Sequence, residues 1–472
     1  MLFEAKIGLE IHVMLKTESK LFCGCKNEFS TKPNTNTCPV CLGLAGALPK
    51  LNKQAVSLAI KAGLLLGSTI ARKSGFDRKH YFYPDLPKAY QITQNSKPIC
   101  IGGSIKLSSG KIVRINHIHL EEDAGKLIHF KDKDTSGIDF NRSGIPLLEI
   151  VTEADLSNVH ETVEFLTKLK HTLDFGEIST CKMELGEMRA DVNISVKPKD
   201  EITLGTKVEI KNLNSFKAVF GAVHFVTNRH IKLLDAGKKV ISQTLRWNES
   251  SLKTEPLRDK ADATDYRYMQ DPNLKEIVLT QSDVEEIRDT IAQNREQRYQ
   301  IYTKVYGINK DSANILLEEK QISDYFENCV KLYNNPQEIC NWILTELLKT
   351  YKQQKLNTLS DIISEKDFCI IISHAANKSI TRTVAKQLLE KTITQKINPE
   401  EAIKEDNLSK KVTKEEIIKL INALLKTNIN IKEDYKKEPD KIINYIIGHI
   451  VDATSGKADI KTIKICIKEI LK

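Results

Sequence analysis

Four cysteines stand close together near the start of the chain, as Cys23-x-Cys25, twelve intervening residues, then Cys38-Pro-Val-Cys41. Two short-spaced pairs joined by such a loop fit a tetrahedral thiolate site, because each pair supplies two corners and the loop closes the knuckle. The expectation is a structural zinc ion on Cys23, Cys25, Cys38 and Cys41, since four thiolates leave no coordination position open for chemistry. The competing reading is four unrelated buried thiols. A second set is acidic. His119-Leu120-Glu121-Glu122-Asp123-Ala124-Gly125-Lys126 places three carboxylates in succession, and Asp139-Phe140-Asn141-Arg142-Ser143-Gly144-Ile145-Pro146-Leu147-Leu148-Glu149 follows. Carboxylates with one imidazole suit a hard cation that keeps part of its water, as Mg2+ does. Alone, an acid triplet is an ordinary solvated face, so its claim rests on the company of Glu10, His12 and Glu149. A third stretch, residues 76–91, interleaves Arg78, Lys79 and His80 with Tyr81, Phe82 and Tyr83. Aromatics there can stack on bases while the cations meet phosphates, or the stretch can simply pack as an aromatic loop. No phosphate-binding loop of the G-x-x-x-x-G-K-[ST] type, kinase glycine loop or G-x-G-x-x-G occurs, so any ATP needs a different cradle.

Three segments of strict period two are placed to carry these groups. In Phe3 to Val13 the odd positions are apolar and the even ones polar or glycine, so a strand buries Ile7, Leu9 and Ile11 and shows Glu10 and His12 together. Arg189 to Val196 aligns Arg189, Asp191, Asn193 and Ser195, and Thr206 to Lys211 aligns Lys207, Glu209 and Lys211. Half-buried strands of this kind are expected to pair antiparallel. Each polar face is either merely solvated or, taken together, the floor of a site for a charged ligand. Eighteen of the 21 glycines lie at or before Gly237, which places turns and sheet first and predicts a mostly helical remainder. Ser282-x-x-Glu285 and Thr413-x-x-Glu416 have capping-box spacing, with Val412 set to staple onto Ile417.

Over 472 residues, 40% hydrophobic and 28% charged residues describe an ordinary globular protein. The net charge of +9 permits an acidic partner such as RNA without requiring one. Apolar runs such as Ala62 to Leu66 are too short to span a bilayer. Glu4 and Lys6 leave no room for a secretory leader, so the expected setting is cytoplasmic, with no membrane partner. Cys100, Cys181, Cys329, Cys340, Cys369 and Cys466 show no pairing rhythm and are expected to be buried and reduced.

Taken in order, Ile7 to Val13, Asp77 to Asp85, Leu120 to Lys126, Asn141 to Ile150, Met188 to Ser195, Glu209 to Ser215 and Asp265 to Tyr268 closely resemble the B subunit of the tRNA-dependent amidotransferases. The likeness continues through Ile380 to Lys386 and Gly448 to Ala458. It implies an α+β chain with a mainly antiparallel-sheet cradle domain at 1–290 holding the zinc insertion. An all-α helical domain at 291–405 and a small helical tail at 406–472 that engages tRNA follow. The implied enzyme is a ligase forming carbon–nitrogen bonds with glutamine as amido donor. ATP phosphorylates the side-chain carboxylate of Glu-tRNA(Gln) or Asp-tRNA(Asn), and ammonia then gives the amide. Implied partners are a glutamine-hydrolysing A subunit and a small C subunit, in a heterotrimer, with the misacylated tRNA. By resemblance Glu10, His12, Glu122 and Glu149 are the catalytic magnesium ligands, with Glu121 the neighbouring candidate. Lys79, Arg189 and Lys211 meet phosphates or the acceptor carboxylate. Asp191, Asn193, Asn212 and Asn214 are polar contacts, and Tyr81 and Tyr83 pack on the terminal adenosine. The alternative is a non-catalytic, zinc-stabilised tRNA-binding scaffold. Met269-Gln270-Asp271-Pro272 departs from the more usual Phe-Pro-Glu-Pro, and His449 and Val451 replace Gln and Met in the tail.

Overall fold

The computed structural model describes residues 2–30, 32–130, 134–259, 266–354, 358–405, 412–428 and 430–471. The chain divides into two compact units, Met1–Arg295 and Glu296–Lys472. The first is built on a ten-stranded sheet. Its long strands are β1 (Phe3–Met14), β4 (Ile112–Glu122), β5 (Pro146–Thr152), β6 (Met188–Pro198), β7 (Val208–Leu213), β8 (Gln243–Asn248) and β9 (Lys253–Asp259). A separate small sheet pairs β2 (Asp77–His80) with β3 (Tyr90–Thr93) and with Met269–Gln270. The large sheet runs β9-β8-β7-β6-β1-β5-β4 and ends on the short pieces Cys100–Ile101 and Thr69–Ile70, with Ser104–Lys106 also on β4.

Period-two patterning delivers what it promises. Ala5, Ile7, Leu9, Ile11 and Val13 are buried on one face of β1, and Glu10 and His12 are half-buried on the other. The β1/β6 and β6/β7 pairings are antiparallel as expected. The pairing of β7 with β8 is parallel, because α3 (Phe216–Asp235) crosses over between them, and a parallel neighbour requires such a crossover. The apolar face is covered by α1 (Lys53–Leu65), α2 (Val159–Phe175) and α3. Ile60, Phe165, Leu169, Val219 and Val226 share one core with Ile7, Ile11, Val192 and Ile194. Each such side chain contributes roughly 1.5–3 kcal/mol by leaving water. Helices on one side leave the polar side of the sheet as the available floor.

The helix α4 (Gln281–Asp289) starts two residues earlier than its spacing promised. Thr280 and Asp283 form the capping box, whereas Ser282 and Glu285 lie inside the first turns. Thr280-x-x-Asp283 has the same spacing, and Thr280 holds the extended backbone a cap needs. The second unit is helical, with α5 (Lys320–Leu332) and α6 (Glu365–Ala376) burying Phe326 and Phe368. A separate core joins α7 (Lys414–Thr427), α8 (Pro439–Ala453) and α9 (Ile460–Leu471) through Ile417, Ile421, Ile450 and Ile463. Here the Thr413/Glu416 box forms and Val412 packs on that core. The architecture is therefore an antiparallel-dominated α+β unit followed by helices. The six scattered cysteines are free and buried. Among the described residues no helix is long and apolar enough to cross a membrane.

Candidate functional site

Strand register, not sequence proximity, assembles the polar floor. His12 lies opposite Arg189 on one side and Glu149 on the other, and Glu149 lies opposite His119. This cross-strand row brings two imidazoles against two carboxylates. His12 Nε2 is 3.2 Å from Glu121 Oε1 and 3.6 Å from Glu149 Oε2. His119 Nε2 is 3.2 Å from Glu149 Oε2 and 3.8 Å from Glu121 Oε2. Burial alone would depress both histidines, but the Glu121 and Glu149 carboxylates outweigh it and raise each to about 9. Burial would likewise raise Glu121, yet the two imidazoles hold it well below its usual range. Without a metal the group is thus two imidazolium–carboxylate pairs of no net charge. His12, Glu121 and Glu149 each offer one ligand atom within 4.8 Å of the others. Two carboxylate oxygens and an imidazole fit a hard divalent cation that keeps water for its remaining positions. His119 Nδ1 is buried without a hydrogen-bond partner, so this floor is not fully self-satisfied.

Cations ring it. Arg189 Nη2 donates to Asp123 Oδ1 at 3.0 Å, and Arg142 grips Asp123 Oδ2 through Nη2 at 2.7 Å and Nε at 3.1 Å. Burial would raise Asp123, but the two guanidiniums keep it below the ordinary carboxylate range. Lys79, on β2, sits over the Tyr266 ring at 4.7 Å. Burial pulls its ammonium down, and the charges of Glu121 and Glu149 more than restore it. Tyr81 packs edge-on against Tyr266 at 6.0 Å, and burial pushes its phenol up. One pleat along β1, about 6–7 Å away by strand geometry, Glu10 joins Asp191 and Glu209 in a second carboxylate group. Asn193 Nδ2 donates to Glu10 at 2.8 Å, and Lys211 reaches Asp191 at 3.1 Å and Glu209 at 2.8 Å.

Glu10 and Glu122 therefore do not join His12 and Glu149 in one group. The period of β4 puts His117, His119 and Glu121 on the polar face and turns Glu122 to the other. There Glu122 pairs with Lys88 and accepts from the Ile92 amide at 2.9 Å. The third carboxylate of the His12 group is Glu121. Tyr83 is 54% exposed, and Asn214 lies exposed beyond β7. The Asn212 side chain and Asp265 fall outside the described residues. Sequence reasoning misses His119, Glu209, Asp123 and Arg142 as members of the site. Alternation within His117-Ile118-His119-Leu120-Glu121 is the signal for the first; the others stand in the acid triplet, the Asp139–Glu149 motif and the Thr206–Lys211 strand, where local pattern does not say what they pair with.

In the knuckle, one sulfur from each of Cys23, Cys25, Cys38 and Cys41 lies within 4.8 Å of the rest. The Cys38 amide donates to Cys41 Sγ at 3.1 Å. A hydrogen bond from Cys23, with the Cys38 amide and the Lys20 charge, draws the Cys41 thiol far below its ordinary value. Four converging sulfurs could coordinate a structural zinc ion.

Residues 5–285 match the model of the GatB/GatE catalytic domain, and residues 324–471 match that of the GatB domain. The chain is 40% identical to the B subunit of the aspartyl/glutamyl-tRNA(Asn/Gln) amidotransferase of Thermoanaerobacter sp. (strain X514), over 99% of both chains. It is 41% identical to the protein of the same name from Caldicellulosiruptor bescii, over 100% of this chain and 99% of that one. The corresponding protein of Agathobacter rectalis is 39% identical over 99% of both.

Proposed function

The chain belongs to the GatB family, the B subunits of aspartyl/glutamyl-tRNA(Asn/Gln) amidotransferases, and from that premise we propose that its polar sheet face transfers phosphate to a carboxylate carried by tRNA. Ammonia cannot displace oxide from a carboxylate, because oxide is too poor a leaving group. A side-chain carboxylate oxygen of tRNA-bound Glu or Asp therefore attacks the γ-phosphorus of ATP, ADP leaves, and an acyl phosphate forms. Ammonia nitrogen then attacks the acyl carbon, the carbon–oxygen bond breaks, and phosphate departs with the amide left on the tRNA. Phosphoryl transfer asks a protein for alignment and charge neutralisation more than for covalent help.

His12, Glu121 and Glu149 are the residues that would hold Mg2+, with Glu10 beside Asp191 and Glu209 as a second carboxylate group one pleat away. A bound Mg2+ supplies charge neutralisation at the phosphate oxygens. Lys79, Arg189 and Lys211 provide fixed positive charge around the same floor, and Asp123 with Arg142 orients Arg189. Asn193 and Asn214 serve the nucleotide or the aminoacyl end, and Tyr81 with Tyr83 takes the terminal adenosine. Ammonia comes from a glutamine-hydrolysing A subunit, and a small C subunit completes the heterotrimer. The observation that carries this reading is the convergence of His12, Glu121 and Glu149 from three strands within a ring of cations. The purified complex, given Glu-tRNA(Gln) or Asp-tRNA(Asn), ATP and glutamine, is expected to release ADP only with misacylated tRNA present. Release of AMP, or amide formation without ATP, refutes acyl-phosphate chemistry. A purely tRNA-binding scaffold would give neither product.

A further inference from the structure

The four-cysteine knuckle is sewn to the loop that carries Arg142. Asn36 N donates to Asn141 Oδ1 at 2.8 Å, and Asn141 Nδ2 donates to Lys32 O at 2.8 Å. Asn34 N donates to Asp139 Oδ1 at 3.0 Å, Asn34 Nδ2 to Ile138 O at 2.9 Å, and Phe140 N to Asn34 Oδ1 at 2.7 Å. Ser143 Oγ adds a bond to Cys41 O at 3.1 Å. Asn141 and Ser143 are 4% and 3% exposed, so their own bonds are shielded from competing water, while those of Asn34 lie at the surface. Gly144 adopts φ +83°, and a Cβ there would stand 3.4 Å from the Cys41 Cβ. The loop is thus shaped to lie directly under the knuckle.

Charge continues the connection. Lys20 is fully buried, and its ammonium donates to Asn36 O at 2.8 Å and faces Cys41 Sγ at 3.8 Å. Four thiolates around a divalent ion carry two net negative charges, and a buried ammonium without a counter-charge is expensive. Lys20 and a loaded knuckle therefore each supply what the other lacks. Among the described residues, no side chain from Lys26 to Thr37 is buried in the core. That stretch gains almost nothing from the hydrophobic effect to offset its ordering entropy, so its order rests on the hydrogen bonds to the Arg142 loop and on whatever the cysteines hold.

We propose that the metal-loaded knuckle is a positioning clamp for the Arg142 loop, with Asn141 as its coupling residue and Lys20 as its counter-charge. Arg142 holds Asp123, and Asp123 holds Arg189 beside His12. Ordering at the cysteines thereby reaches the catalytic floor. The clamp rests on the zinc reading of the cysteines, and only its last consequence rests on the phosphoryl-transfer reading.

Amide hydrogen exchange on the full chain, zinc-loaded and after chelation, tests it. Removing zinc is expected to speed exchange across residues 138–145 by about tenfold or more while β1 and β6 stay protected. Asn141→Ala should reproduce that loss with one zinc per chain still bound. Asn34→Gly, at an exposed position with positive φ, acts on the same coupling from the knuckle side and does not endanger the core. Lys20→Met should release zinc to a chelator about tenfold faster, and Lys20→Arg should restore retention. In the assembled enzyme Asn141→Ala should lower kcat for ATP cleavage about tenfold with KM for ATP unchanged. Unchanged exchange at 138–145 after zinc removal overturns the clamp. So does wild-type exchange in zinc-loaded Asn141→Ala and Asn34→Gly, or a wild-type chain that binds no zinc. Zinc-dependent protection in a complex that never cleaves ATP would sink the phosphoryl-transfer reading and leave the clamp standing.

Discussion

The knuckle takes all four sulfurs from one short stretch, Cys23 to Cys41, whereas the imidazole–carboxylate group takes His12 from β1, Glu121 from β4 and Glu149 from β5. In the first, chain connectivity brings the sulfurs together, and tertiary contacts to residues 138–144 only seat the finished loop. In the second, each ligand arrives on a strand whose other face is anchored in the core, so the geometry is as rigid as the sheet. Contacts that hold the strands in register also hold these three side chains. A site built in this way can keep charged groups close together without a metal, because the paired imidazoles and carboxylates neutralise one another.

The sharpest way to break this contrast is to compare neighbours on β4. Glu121→Gln or Glu149→Gln should lower ATP cleavage by about 10²- to 10³-fold with the fold intact. Glu122→Gln should instead leave magnesium affinity unchanged and lower stability to urea by about 3 kcal/mol, because Lys88 loses its buried partner. Equal loss of magnesium affinity in the Glu121 and Glu122 variants would void the assignment by strand face.

A gentler test uses protons. In the metal-free chain His12 and His119, raised to about 9, contribute stability that is full below the unfolded value near 6.5 and lost as pH rises through 9. A His12 that ligates magnesium must be neutral, so on the proposed reading magnesium affinity should move the other way, climbing by about tenfold per pH unit up to 9 and flattening above. Calorimetry in buffers of different ionisation enthalpy should report protons released on binding. A pH-independent affinity would remove His12 from the ligand set.

The smallest effect comes from a fully buried histidine with no carboxylate beside it. His230 on α3 is fully buried with neither ring nitrogen hydrogen-bonded, and burial, with the Arg229 charge, pushes it down to about 4. The unfolded chain then takes the proton first, so stability falls as pH drops from about 6.5 towards 4. His230→Leu should flatten that slope and gain about 1–2 kcal/mol at pH 5, read by thermal or urea unfolding across pH. Histidines of one chain thus shift in opposite directions according to what the register sets beside them.

Local pattern in the chain was enough for a good deal. The spacing of Cys23, Cys25, Cys38 and Cys41 announces their convergence, and the alternation of β1 and β6 assigns Glu10, His12, Arg189, Asp191 and Asn193 to one face. The thinning of glycine after Gly237 points to the helical remainder but sets it too early, because β8 and β9 still follow and the helical unit begins only at Glu296. The Ser282 box failed because Thr280 offers equal spacing and only backbone conformation chooses between them.

Residue order by itself determined which side chains share a strand face, which cysteines can close a loop, and that helices succeed the sheet, because those follow from periods of two to four residues. Which strands lie side by side, and in what register, was decided only by tertiary structure. That choice is the sum of many long-range core contacts, such as those of Ile7, Ile11, Val192 and Ile194 with α2 and α3, and it puts His12 opposite Glu149, sets Lys88 beside Glu122, and closes the Arg142–Asp123–Arg189 chain.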